Sequence, residues 1–303
     1  MSSLEPWVDD ASAALLTDLY QLTMLQAYWQ EGMEEEGVFS LFARRLPRSR
    51  NYLLACGLED VLHYLESMRF TPEALDYLST FDQFSPEFLK RLERFRFTGE
   101  VHAVPEGTPF FANEPILEVI APITEGQLVE TFIMNQVHLQ TVLASKAARV
   151  VAAARGRAVV DFGLRRMHGT DAGMKAARAF HIAGTDATSN VLAGRVYGLR
   201  VTGTMAHSYI QAHDEEMDAF RAFARLYSET TLLVDTYDTL DGARKVVRLA
   251  REMGDAFTVR AIRLDSGDLV ELATEARRLL DAAGLERVEI FASGGLDEHQ
   301  VER

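Results

Sequence analysis

Val259-Arg260-Ala261-Ile262-Arg263-Leu264-Asp265-Ser266-Gly267-Asp268 and, one helix-length later, Val288-Glu289-Ile290-Phe291-Ala292-Ser293-Gly294-Gly295 decide the fold. In each, a short apolar run of strand character ends in small polar residues, and an amphipathic run of helical character follows. Small residues at a strand end let the backbone approach a ligand closely and leave amide N–H groups pointing outward, a geometry that suits a phosphate. An ordinary βα turn also favours Ser, Gly and Asp. Two such turns in succession, separated by one helix, point to a phosphate-handling α/β enzyme.

The same punctuation recurs upstream. Thr231-Leu232-Leu233-Val234-Asp235-Thr236, Leu199-Arg200-Val201-Thr202-Gly203-Thr204 and Ala158-Val159-Val160-Asp161-Phe162-Gly163 each read as a strand closed by a polar or glycine cluster. Strands alternating with helices indicate parallel βα units. In a barrel of such units the functional groups gather at strand C-termini, and these ends carry Arg165, His207, Asp235, Arg263, Asp265 and Ser293.

Before this series the pattern is mixed. A helix is expected over 14–31, opened by Thr17 or Asp18, then a strand at 38–42 and a helix from Leu53 to Met68. Short helices fill 71–97. Strands follow at Phe97–Val104 and Ile116–Ile120 around a turn at 105–109, and a long helix with a break runs from Glu125 to Arg155. The expected organisation is an α/β protein: an N-terminal α+β domain over 1–148, then an irregular, incomplete α/β barrel over 149–303. Leu296–Arg303 begins a further helix, and the closing strands of the barrel are expected elsewhere.

The 303 residues allow roughly two domains. A hydrophobic share of 48% with 25% charged residues is enough for a large core without staples. The one cysteine, Cys56, rules out an intrachain disulfide and fits a reducing compartment. No Cys/His spacing of a zinc site is present, so no protein-held metal is expected. A net charge of -14 argues against nucleic acid or an anionic membrane as partner. The N-terminus lacks a basic n-region and a long apolar h-region, and no apolar run reaches membrane-span length, so a cytoplasmic protein is expected.

Several clusters carry chemistry. Asp161-Phe162-Gly163-Leu164-Arg165-Arg166 joins an aromatic face, able to stack on a planar ring, to cations that bind a carboxylate. A core Phe beside a solvated Arg pair has the same pattern. Gly203-Thr204-Met205-Ala206-His207-Ser208 sets a histidine at a strand end, suited to nucleophilic, acid/base or phosphate-accepting work. Most single histidines do none of these, and His168, His181 and His213 lie nearby. Tyr20 opens an apolar helix, where a residue at such spacing is more often core than ligand contact. Arg44-Arg45 with Arg48 and Arg50 makes a basic cluster that could grip phosphates or be a solvated loop.

Seven segments together carry a resemblance: LLTDLYQLTM at 15–24, FSLFARRLP at 39–47, DFGLRR at 161–166, GTDATSNVLAG at 184–194, GTMAHSYIQA at 203–212, IRLDSGDL at 262–269 and IFASGGLDE at 290–298. In this order and spacing they resemble the nicotinate phosphoribosyltransferase family, of the type II phosphoribosyltransferase class. The resemblance implies that nicotinate is joined to 5-phosphoribosyl 1-diphosphate, giving nicotinate mononucleotide and diphosphate in NAD salvage. It also implies ATP hydrolysis coupled through a phosphohistidine, Mg²⁺ accompanying the phosphate substrates, no tightly bound organic cofactor, and a homodimer with shared active sites.

By position, the resemblance makes His207 the phosphorylated histidine. Phe162 and Tyr20 become the ring-stacking pair, Tyr20 coming from the neighbouring subunit. Arg165 falls beside the pyridine carboxylate. Arg263 and Asp265 contact the ribosyl-phosphate substrate and the ring, with Thr204, Ser266 and Gly267 lining the same substrate. Ser293, Gly294 and Gly295 form part of the phosphate loop. Arg44 reaches diphosphate from the partner, and Asp186 lies near the base.

The family pattern continues beyond this sequence into a second glycine-rich loop, so a chain shortened at its C-terminus is expected. Two other readings remain: a nicotinamide- or quinolinate-specific relative, and a non-catalytic, ligand-binding homologue. The Leu164-Arg165-Arg166 run favours an acid substrate, because a neutral amide needs no paired cation.

Overall fold

The structure, a computed structural model, describes residues 8–303. The chain forms two compact units. One takes in the chain up to Val151 together with Ala158–Arg200; the other comprises Ala152–Arg157 and Val201–Arg303.

In the first unit, α1 (Leu19–Glu31) leads to β1 (Glu36–Phe42), β2 (Leu53–Leu54), α2 (Leu58–Ser67), α3 (Pro72–Leu78), α4 (Pro86–Glu93), β3 (Glu100–Ala103), β4 (Pro109–Phe110), β5 (Pro115–Pro122) and α5 (Ile123–Ala153). β5 is the centre of an antiparallel sheet, pairing β1 through Val38↔Ile120 and β3 through Val101↔Val119. Its period-2 pattern buries Leu117, Val119 and Ala121. They join one core with Leu22, Leu25, Val61, Leu65, Leu92, Leu128 and Ile133. Tyr64 stacks on Phe132 with ring centroids 3.8 Å apart. The short helices α3 and α4 begin where they do because the Thr71 and Ser85 hydroxyls accept from the Ala74 and Phe88 amides, with Pro72 and Pro86 pre-set for the first turn.

The unit continues through β6 (Val160–Asp161), α6 (Thr170–Ile182), β7 (Ala187–Thr188) and α7 (Val191–Tyr197). β6 and β7 are parallel, Asp161 facing Thr188.

The second unit holds α8 (His207–Gln211), α9 (Glu216–Leu226), β8 (Thr231–Leu233), α10 (Thr239–Met253), β9 (Ala261–Leu264), α11 (Leu269–Asp281), β10 (Glu289–Ala292) and α12 (Glu298–Glu302). Its three strands are parallel, in the order β10-β9-β8. α10 buries Ala243, Val246 and Leu249, and α11 buries Ala276 and Leu280; these close over Leu232, Leu233, Ile262 and Leu264. Each fully buried Leu or Ile contributes roughly 1.5–3 kcal/mol. Asp238 and Asp268 cap α10 and α11 with their carboxylates, which stops each strand-to-helix turn at a defined residue.

The α/β class and the parallel βα units agree with the sequence reading, and the first part adds an antiparallel sheet whose strand directions the sequence left open. Four local expectations do not. The first helix starts at Leu19, after a 3-10 turn over Ala13–Leu15, and the Asp18 carboxylate makes no cap bond but accepts from the Thr131 hydroxyl at 3.0 Å. Leu53–Gly57 is not helical: Leu53 and Leu54 pair with Phe110 and Pro109, and Gly57 sits at φ 106. An alanine Cβ there would lie 2.9 Å from the Gln136 carbonyl oxygen, so the turn packs directly on α5 and α2 begins one residue later. The long helix is unbroken through its 31 residues. Leu199–Thr204 forms no strand beyond an isolated bridge at Val201, which is exposed and has no sheet face to bury.

Candidate active site

In the second unit the strand ends assemble one connected polar cluster. Arg263, on β9, is its hub. Its Nε donates to Ser293 Oγ at 2.7 Å, Nη1 to Thr204 Oγ1 at 2.9 Å, and Nη2 to Asp265 Oδ1 at 2.7 Å. Ser293 Oγ in turn donates to Asp265 Oδ1 at 2.5 Å. Because β9 and β10 are parallel neighbours, Ser293 and Asp265 leave the sheet side by side, and the Ser293 amide donates to the Leu264 carbonyl at 2.8 Å.

His207 opens α8. Its Nδ1 lies 3.1 Å from Thr236 Oγ1, and its Nε2 lies 3.7 Å from Asp265 Oδ2. Thr236 fixes the ring and leaves Nε2 facing the carboxylate. Burial pushes the Asp265 carboxyl up, but hydrogen bonds from Ser293 and Arg263, with the charges of Arg263 and His207, outweigh it and hold the group below its ordinary value. Asp265 is therefore an anion at neutral pH.

Beneath this cluster sits Asp235, at the end of β8 and only 8% exposed. Its Oδ2 accepts from the Asp265 amide at 2.9 Å and from Ser266 Oγ at 2.5 Å. Its Oδ1 is buried with no hydrogen-bond partner among the described residues. Asp235 thus holds the Asp265–Ser266 turn in place. The sequence marked Asp235 as a strand end but gave it no role, and Thr236 was missed. The signal was there: both end β8 as Asp265 and Ser266 end β9.

Gly267 and Gly294 adopt φ 80 and φ 111, and Gly295 φ 71. At Gly294 a Cβ would stand 2.4 Å from the Asp265 carbonyl oxygen, so only glycine lets β10 turn this close to the β9 loop. The amides of Gly294 and Gly295 donate to no other group among the described residues. They are available to an anion.

The first unit carries the remaining candidates. Phe162 and Arg165 follow β6, Arg165 exposed within a 3-10 turn over Leu164–Arg166. The turn is fixed by Asp161, whose Oδ1 accepts from the Gly163 amide at 2.7 Å and whose Oδ2 accepts from Thr188 Oγ1 at 2.8 Å. Neither Asp161 nor Thr188 stood among the candidates. The Asp186 carboxylate accepts from the Val159 amide at 2.8 Å, and so pins the start of β6 against β7. Tyr20 lies exposed on α1, and Arg44 is exposed just past the end of β1. Among the described residues no group of three or more His, Cys, Asp or Glu side chains is placed to hold a metal, and no helix is long and apolar enough to cross a membrane.

Comparison with known proteins gives this arrangement a context. Residues 15–138 match the nicotinate phosphoribosyltransferase N-terminal domain, and residues 157–299 match the nicotinate phosphoribosyltransferase family. The human nicotinic acid phosphoribosyltransferase crystal structure superposes with a TM-score of 0.85 at 30% identity, covering 95% of this chain and 70% of that one. The chain belongs to the nicotinate phosphoribosyltransferase family. Within that family, nicotinate phosphoribosyltransferase pncB2 of Mycobacterium tuberculosis is 61% identical over 288 residues, 95% of this chain and 62% of the relative. The Bacillus subtilis nicotinate phosphoribosyltransferase is 43% identical over 300 residues, 98% of this chain and 61% of the relative. The chain therefore spans about three fifths of the length of these two relatives. A nicotinate-nucleotide pyrophosphorylase from Pyrococcus furiosus superposes with a TM-score of 0.81 at 25% identity, covering 100% of this chain and 71% of that one.

Proposed function

We propose that this chain carries the catalytic residues of a nicotinate phosphoribosyltransferase, forming nicotinate mononucleotide and diphosphate from nicotinate and 5-phosphoribosyl 1-diphosphate in NAD salvage. The observation that carries this reading is the Arg263–Asp265–Ser293–His207 cluster, built on the ends of adjacent parallel strands in a chain of this family. The pyridine nitrogen attacks the anomeric carbon as the bond to diphosphate breaks, so the carbon gains positive character. Asp265, held ionised, offsets that charge. The Gly294 and Gly295 amides and the Arg263 guanidinium face the phosphate groups. Arg165 would pair with the nicotinate carboxylate, and Phe162 with Tyr20 would sandwich its ring, Tyr20 and Arg44 being supplied by a second copy in a homodimer. Asp186 would act from behind, through the β6–β7 turn near the base.

Mg²⁺ belongs to this reading as an ion carried in on diphosphate and ATP oxygens, which are the hard oxygen ligands it prefers. ATP coupling would run through His207. In the tautomer that donates Nδ1–H to Thr236, Nε2 keeps its lone pair, attacks the γ-phosphorus and displaces ADP. The acidic chain with its single, buried thiol suits a cytoplasmic setting.

The test is phosphoenzyme formation. With γ-labelled ATP the protein should take up acid-labile, base-stable label, and His207→Asn should take up none. Full labelling of the variant would move the acceptor to His168, His181 or His213. An active wild type that never labels would remove ATP coupling from the reading.

A further inference from the structure

Tyr20 is exposed, yet it is not left loose. The neighbouring residue, Gln21, is fully buried. Its Nε2 donates to the Tyr20 hydroxyl at 3.0 Å and to Glu130 Oε2 at 2.9 Å. Its Oε1 accepts from Gln127 Nε2 at 2.5 Å, and Gln127 Nε2 also donates to Glu130 Oε2 at 2.8 Å. One helical turn further on, Thr131 donates to Asp18 at 3.0 Å. Gln127, Glu130 and Thr131 are spaced i, i+3, i+4, so one face of α5 grips the first turn of α1 at several points.

A buried amide engaged at both its oxygen and its nitrogen can adopt only one orientation. Here that orientation aims an N–H at the Tyr20 oxygen. The hydroxyl accepts that bond. The ring is thereby held by its far end while 49% of the residue stays open to solvent. An exposed aromatic side chain with its tip pinned is prepared to stack on a flat partner, because much of its rotamer entropy is already lost before the partner arrives.

We propose that Gln21, Gln127 and Glu130 are positioning residues that set the Tyr20 ring for stacking on the pyridine substrate. This rests on the proposed reaction for the identity of the flat partner; the hydrogen-bond relay itself does not. Substrate specificity would then depend on residues of α5 that touch no substrate.

The experiment uses the intact chain with two near-isosteric variants, Gln21→Met and Glu130→Gln, beside Tyr20→Phe and Tyr20→Ala. The KM for nicotinate should rise about three- to tenfold in Gln21→Met, as expected for one lost hydrogen bond. The KM for 5-phosphoribosyl 1-diphosphate should stay within twofold. Glu130→Gln supplies a reading that a merely structural role would not move. Burial and the Glu130 and Asp18 charges hold the Tyr20 phenol above its ordinary value. Removing the Glu130 charge should lower the one phenol titration that disappears from the ultraviolet difference spectrum in Tyr20→Phe. An unshifted Tyr20 titration in Glu130→Gln, or a nicotinate KM unchanged in Gln21→Met while Tyr20→Ala raises it, overturns the proposal. A folded wild type that makes no nucleotide from nicotinate overturns the substrate reading alone, and the Tyr20 titration still decides whether the relay positions the ring.

Discussion

Replacing Gly294 by alanine should damage the second unit more than its size suggests. The new Cβ would lie 2.4 Å from the Asp265 carbonyl oxygen, and the backbone there holds φ 111. Both partners are main chain, so no flexible side chain can yield. The backbone strain costs about 1–3 kcal/mol, and forcing an extra carbon into a filled space costs about 1–3 kcal/mol more. The variant should therefore lose about 3 kcal/mol, or relieve it by moving the β10 loop off Asp265. Either way the Ser293–Asp265–Arg263 bonds are disturbed, since Ser293 precedes the altered residue. Gly295→Ala is the matched control. It also has positive φ, 71, but its Cβ meets nothing within 4 Å, so it should cost only about 1 kcal/mol. Urea unfolding measures both. Gly294→Ala should show a clearly lower midpoint than Gly295→Ala at a similar slope. Equal midpoints, or a Gly294→Ala variant indistinguishable from wild type, would refute the close-approach reasoning.

Three further outcomes follow from named contacts. Arg178 sits between Glu106, at 2.6 and 2.9 Å, and Glu59, and Glu106 also accepts from the Gly57 and Leu58 amides; Arg178→Met should therefore destabilise the protein by about 3 kcal/mol in urea unfolding, leaving the half-buried Glu106 without its cation. Burial alone would push the Glu106 carboxyl up, but bonds from Arg178 and the Gly57 amide hold it below its ordinary value; that stability is present above the unfolded carboxyl value and lost as pH falls through the folded one, so Glu106→Gln should flatten the acid limb of stability below about pH 5, and an unchanged limb would contradict it. Arg165→Ala should raise the KM for nicotinate by roughly ten- to a hundredfold, with little change for 5-phosphoribosyl 1-diphosphate; equal effects on both would remove Arg165 from the carboxylate.

The parallel core of the second unit was legible because each strand ended in a turn whose chemistry is local. Asp268 at the start of α11 and the glycines after Ser293 signal a strand end and a helix start within a few residues. Leu53–Gly57 was not legible as a strand, since a short apolar run carries no period, and its shape is decided by Phe110 and Gln136, remote in sequence. Leu199–Thr204 failed in the opposite direction: it has strand-like residues but no sheet partner to pair with beyond one bridge. The site residues that meet substrate in the proposed reaction stand in recognisable segments. Those that hold them in place do not. Gln21 is a polar residue within a helix read as apolar and carries no motif of its own, and Glu130 lies on α5, over a hundred positions away. Asp235 pins the neighbouring loop through a backbone amide, which leaves no trace in composition.

The central claim is that this cluster joins nicotinate to a ribosyl phosphate. The direct measurement is conversion of ring-labelled nicotinate, with 5-phosphoribosyl 1-diphosphate, Mg²⁺ and ATP, to a labelled mononucleotide resolved by chromatography, for wild type and Asp265→Asn in parallel. The account predicts stoichiometric nucleotide and diphosphate from wild type and a loss of at least a hundredfold in Asp265→Asn, about 2.7 kcal/mol of transition-state stabilisation. Nucleotide formed at equal rates by both proteins, or none from a folded wild type, would contradict it.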